Sequence, residues 1–171
     1  MESFDDVAKL ASALVTGHCG SPQIVAIEGA SGSGKTCLGR ELGSVIGASV
    51  VETDPYYRTG FKGASYEDGL RLDDLEREVM RLLRGGQPLI IEGVCLRDTL
   101  EALSLTPDAF VYCKKLSATG IWNDDPELLE TPPADFESVQ ALIDGWSLDY
   151  HRRTDPHERA DFVFLRDGDV I

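Results

Sequence analysis

The chain has 171 residues, 42% hydrophobic and 27% charged, which is the composition of an ordinary globular protein rather than a disordered or collagen-like one. The length predicts one domain, residues 1–171, with a substantial core. Thirty acidic residues against sixteen basic ones give a formal charge of −14, a field that repels nucleic acid and anionic membranes and leaves small molecules as the expected partners.

Residues from Phe4 to Val15 place apolar side chains at helical spacing (Phe4, Val7, Ala8, Leu10, Ala11, Leu14), and Pro22 ends the pattern. Ile24–Ile27 is a short continuous apolar run, as in a strand buried on both faces. A glycine-rich turn leads into a helix over Lys35–Ile46, and Ala48–Val51 reads as a second strand. Residues 55–67 read as a long loop. Leu70–Leu83 is strongly amphipathic and stops at Gly85-Gly86. Leu89–Ile91, Ala109–Cys113 and Phe162–Leu165 complete five strands, and Phe136–His151 reads as the helix before the last. Strands alternating with helices predict an α/β fold, a five-stranded parallel sheet with helices on both faces. Asn123–Ala134, with Pro126, Pro132 and Pro133, is the most loop-like stretch, and residues 114–134 are a candidate lid.

No run of about 18 apolar residues exists to cross a membrane. The acidic start, Met1–Asp6, lacks the pattern of a signal peptide. Cys19, Cys37, Cys95 and Cys113 are scattered without a CxxC pair, which points to reduced thiols and a cytoplasmic protein rather than a zinc site or disulfide frame. The oligomeric state is open, a homodimer being one option.

The sharpest feature is Gly29-Ala30-Ser31-Gly32-Ser33-Gly34-Lys35-Thr36, a full G-x-x-x-x-G-K-[ST] phosphate loop between a strand and a helix. Glycines let backbone N–H groups turn inward around anionic oxygens, and the helix directs its positive end at the same place. Gly29, Ser31, Gly32, Ser33, Gly34, Lys35, Thr36 and Cys37 are the candidate nucleotide-binding residues. Lys35 supplies charge for the β- and γ-phosphates, and the Thr36 hydroxyl is a hard ligand for Mg²⁺. Ligands bind beyond the carboxyl ends of strands in an open parallel sheet. Asp54, after the second strand, and Glu92, after the third, therefore join the loop at one site. Either acid could serve a metal, and Asp54 could take a proton from an attacking hydroxyl. Glu28 lies nearby, to orient metal-bound water or satisfy backbone groups.

The loop, then Asp54-Pro55-Tyr56-Tyr57-Arg58, then Ile90-Ile91-Glu92-Gly93, resembles the uridine kinase and phosphoribulokinase family of P-loop kinases over residues 22–94, with a weaker echo at Tyr150–Phe164. The resemblance implies transfer of the ATP γ-phosphoryl to a small-molecule hydroxyl, with ATP and Mg²⁺. The family's base falls on Asp54, its aromatic substrate contacts on Tyr56 and Tyr57 with Arg58 beside them, and its metal-associated acid on Glu92. The chain departs from the family in two places. No His-Pro pair follows the Asp54 motif, and no arginine lies between Lys114 and Tyr150.

Arg97 and Arg152 are candidates to stabilise charge on the transferring group, with Arg153 beside them. His151 and His157 read as surface or capping histidines. Trp122 and Trp146 read as packing residues, Trp122 being the better candidate of the two to stack on a base. Two other readings stand beside the hydroxyl kinase. One is a nucleoside monophosphate kinase of cytidylate type, with Arg58 and Arg71 on the acceptor phosphate. The other is a non-catalytic nucleotide-binding module.

Overall fold

The computed structural model describes residues 2–17, 22–127 and 139–167. Its strands are β1 (Glu2–Phe4), β2 (Ile24–Glu28), β3 (Ser49–Glu52), β4 (Leu89–Gly93), β5 (Ala109–Leu116) and β6 (Phe162–Asp167). They form one six-stranded sheet in the order β1-β6-β5-β2-β4-β3, and each neighbouring pair is parallel. The α-helices are α1 (Val7–Gly17), α2 (Lys35–Ile46), α3 (Leu72–Leu83), α4 (Leu96–Ala102) and α5 (Val139–Thr154).

The five-stranded expectation is corrected to six. The added strand is β1, whose Phe4 belongs to the sheet rather than to the first helix. Asp6 is the reason. Its Oδ1 accepts the Lys9 N–H at 2.9 Å, so it caps α1 and prevents the helix from starting at Phe4. Phe4 instead packs on Phe162 at 6.0 Å between ring centroids. The third helix starts at Leu72 rather than Leu70, because residues 67–69 form a separate 3₁₀ turn and Leu70 bridges to Tyr57. The short helix α4 carries too few residues to show a periodicity in the sequence.

The sheet divides the interior into two cores. Val25, Ile27, Ile90 and Val111 face α1 and α2, where they meet Leu10, Leu14, Leu38 and Leu42. Ile24, Ala26, Leu89 and Ile91 face the opposite side, against Leu75, Val79, Leu96 and Tyr150. Every residue of β2 and β4 is buried, which explains their unbroken apolar runs. Asp108 fixes the entry to β2, accepting the Gln23 and Ile24 N–H groups at 2.7 and 2.9 Å.

β2 has β4 on one side and β5 on the other, so the strand order reverses there. A crevice opens at such a point beyond the carboxyl ends of the strands. The phosphate loop leaves β2 into it, and residues 53–54 leave β3 beside Glu92 and Gly93 of β4.

Gly93 sits where the strand ends crowd together. A Cβ there would collide with the side chain of the fully buried Thr53, the residue before Asp54. Gly93→Ala is predicted to cost about 1–3 kcal/mol in urea unfolding, the usual cost of overpacking. An unchanged midpoint would show that the strand ends can move apart freely.

Candidate active site

The turn after β2 is built to leave backbone donors open. Gly34, the N-cap of α2, is left-handed (φ 91°) and supplies no side-chain cap, so the first N–H groups of α2 have no side-chain oxygen on them. A Cβ at Gly34 would meet the Arg166 side chain of β6 at 2.6 Å, and the left-handed backbone itself favours glycine there. Lys35 is buried, and its Nζ donates to the carbonyl oxygen of Ala30 in the same loop at 2.8 Å. Burial pushes the Lys35 pKa down, while Glu92 and Asp54 push it back up. The Ser33 hydroxyl is buried without a hydrogen-bond partner among the described residues. A buried ammonium resting on a neutral carbonyl, together with an unanswered hydroxyl, fits a phosphate group in the cradle.

Two acids face the cradle. The Thr36 hydroxyl donates to Glu92 Oε1 at 2.8 Å. Glu92 is 3% exposed, and its pKa is raised by burial against the opposing pull of Thr36 and Lys35. Asp54 opens a one-turn 3₁₀ helix with Pro55 following, and it is exposed. Its Oδ1 accepts the Tyr66 hydroxyl at 2.8 Å, and that hydroxyl also lies 3.4 Å from Thr53 Oγ1. Thr36, Glu92 and Asp54 are hard oxygen donors suited to Mg²⁺, which keeps several waters and takes phosphate oxygens as well. Among the described residues, no group of three or more His, Cys, Asp or Glu could hold a metal alone.

A cavity of about 560 Å³ joins the two halves. Ser31, Gly32, Gly34, Lys35, Thr36 and Cys37 line the phosphate side. Asp54, Tyr57, Thr59, Tyr66, Val94 and Ile143 line the opposite side. Gly29 and Ser33 are buried members of the loop, and Cys113 Sγ donates to the Ser33 carbonyl at 3.2 Å.

Other predicted residues lie elsewhere. Tyr56 is half-buried outside the cavity, with the Arg71 guanidinium 5.8 Å above its ring. Arg58 donates to the Leu70 carbonyl at 3.3 Å and lies over Phe61. Arg97 donates to Glu28 Oε1 at 2.9 Å and to the Arg159 carbonyl at 3.1 Å, and it lies 3.8 Å over the Phe110 ring. Arg152 donates to the Pro126 carbonyl at 3.2 Å and faces a second hollow with Lys114, Trp122 and His157. Lys114 and Lys115, at the start of the predicted lid, belong to β5. Leu116 bridges to Trp122 to close a turn, and residues 128–134 of that stretch lie outside the described residues.

Three residues take roles that the sequence did not show. Tyr66 holds Asp54, and the visible signal was only an aromatic at the end of the loop. Glu28 holds two side chains rather than backbone groups in these contacts. It takes Arg97 on one oxygen and the Tyr150 hydroxyl on the other, at 2.5 Å. His151 is no surface or capping group. It is buried, Nδ1 donating to the Ser147 carbonyl at 2.5 Å and Nε2 accepting from the Tyr112 hydroxyl at 2.8 Å. Burial lowers its pKa to about 4, so the ring is neutral.

Burial raises the Glu28 pKa from 4.5 to about 6, against the pull of Arg97. Between these values folding takes up a proton, so this contribution to stability is full below 4.5 and is lost as pH rises through 6. Relative to Glu28→Gln, the parent is predicted to lose about 2 kcal/mol of unfolding free energy across that window. Urea titrations at a series of pH values check this, and a difference independent of pH would show that Glu28 stays ionised beside Arg97 throughout.

No family model matches the sequence, and no curated protein matches it. Solved structures do match. A possible uridine kinase from Bacillus stearothermophilus superposes with a TM-score of 0.56 at 19% identity, over 92% of this chain and 96% of the other. An unliganded sugar kinase from Janibacter sp. HTCC2649 gives a TM-score of 0.51 at 18% identity, over 85% and 84%. The fold, a six-stranded parallel α/β sheet, is similar to that of these kinases.

Proposed function

We propose that the protein is a kinase-type phosphotransferase that moves the γ-phosphoryl group of ATP, with Mg²⁺, to a hydroxyl of a nucleoside- or sugar-like small molecule. One observation carries the reading: Asp54, held by Tyr66, lies in the same cavity as Lys35 and Thr36. A carboxylate there accepts the proton of an attacking hydroxyl. The hydroxyl oxygen bonds to the γ-phosphorus, the bond to the β–γ bridging oxygen breaks, and the electron pair leaves with ADP. Lys35 neutralises charge on the phosphoryl oxygens, and Thr36 and Glu92 would hold the metal. Mg²⁺, when bound, supplies further neutralisation of the phosphate oxygens. Tyr57 borders the acceptor. Arg97 would reach the reacting group only by leaving Glu28, which makes Lys35 the principal cation in this reading.

A nucleoside monophosphate acceptor is less well served. Its phosphate wants arginine forks, yet Arg58 and Arg71 are turned onto the Leu70 and Pro55 carbonyls. Asp54 would repel it. A purely nucleotide-binding module gives no use for the Tyr66–Asp54 pair.

The test is Mg²⁺–ATP consumption against a panel of nucleosides, sugars and vitamins. Asp54→Asn is predicted to lower acceptor-dependent turnover by about 10²- to 10⁴-fold while nucleotide affinity holds. Equal turnover in parent and variant would sink the base assignment. Tyr66→Phe removes one hydrogen bond to a charged group and is predicted to lower kcat about ten-fold, with the KM for ATP unchanged. Activity that persists in excess chelator would refute the metal requirement.

A further inference from the structure

We infer that the acceptor carries no phosphate or carboxylate, and that the cavity favours a neutral or amine-bearing hydroxyl compound with an apolar face. The inference rests on the kinase reading and deepens it.

The acceptor half of the cavity is Asp54, Tyr57, Thr59, Tyr66, Val94 and Ile143, together with Gly60. Its one charged side chain is an acid. Lys35 is the single cation among the described residues that line the whole cavity, and it belongs to the phosphate half. The nearby guanidinium groups hold partners of their own. Arg58 is on the Leu70 carbonyl, Arg71 on Asp74 and the Pro55 carbonyl, Arg97 on Glu28, and Arg153 on Asp98. An anionic acceptor is held by such forks when they face it, and here they are engaged by other groups of the protein.

The chain that follows β5 points the same way. Among the described residues of the stretch that follows, 116–127 and 139–150, five are Asp or Glu and none is Lys or Arg. From this stretch Ile143 reaches the cavity, and Asp124 lies close enough to interact with Lys35. An anionic group beside Asp54 would meet repulsion from Asp54 and Asp124, while Lys35 faces the phosphate half and Lys115 acts on Asp124, whereas an ammonium would be drawn in. The stacked rings of Tyr57 and Tyr66, 5.4 Å apart and 16° from parallel, with Val94 and Ile143, form the apolar wall.

The experiment fills the phosphate half with Mg²⁺ and a non-hydrolysable ATP analogue, then screens a library of hydroxyl compounds by thermal shift. Neutral, amine-bearing, carboxylate-bearing and phosphorylated members are represented equally. Calorimetry ranks the hits against their own phosphorylated counterparts. The expected result is that hits are neutral or amine-bearing, and that phosphorylation at a hydroxyl distal to the reacting one weakens binding about ten-fold or more. Ile143→Arg should recover most of that loss without changing affinity for the nucleotide analogue. The inference is overturned if the tightest ligands of the parent are phosphates or carboxylates, if phosphorylation leaves affinity unchanged, or if no class binds. The kinase reading fails separately. Hits that bind as expected but accept no phosphoryl group from Mg²⁺–ATP would leave the charge preference intact and remove the reaction. Transfer to a phosphorylated acceptor would do the reverse.

Discussion

A carboxylate buried at the end of the central strand constrains everything around it. Glu28 is 1% exposed, and a charge in that position must be neutralised or matched. Both answers are present. Arg97 comes from the first turn of α4, Tyr150 from α5, and the Arg97 guanidinium also holds the Arg159 carbonyl ahead of β6. One side chain of β2 thus fixes two helices and a connecting segment on one face of the sheet. The residue after Glu28 opens the phosphate loop, so the platform under the loop is set by the same contacts.

The parts of the site that were legible in the sequence are those whose chemistry is local. Eight consecutive positions define the phosphate loop, and Asp54 and Glu92 follow apolar runs that had to be neighbouring strands. Their convergence follows from parallel pairing alone, and the register puts Glu52 opposite Glu92. Tyr66, by contrast, reaches Asp54 across twelve positions of irregular chain, and Arg97 finds Glu28 across sixty-nine. Periodicity carries no record of such side-chain directions. Arg97 follows the third predicted strand and so read as a candidate for the reacting group, and the buried acid that claims it was invisible without the sheet.

Short elements were also hard to read. β1 has three residues, fewer than one period of either pattern can establish, and its Phe4 fits the helical spacing as well as it fits a strand. His151 has the polar helix-end neighbours of a surface residue, yet it faces Tyr112 of β5. In both cases tertiary packing overrode a correct local description.

The place of β1 has a consequence for how the chain folds as it is made. Glu2 pairs with Phe162, 160 positions further on. Contacts of such long sequence separation form late, because loop closure opposes them. During synthesis β1, with the Phe4 ring, must wait for β6, which itself needs β5 in place. Until then the six residues of β6 form an edge of the nascent sheet open to foreign strands. The last pairing to form therefore replaces the six-residue edge of β6 with the three-residue edge of β1, a shorter template for foreign strands.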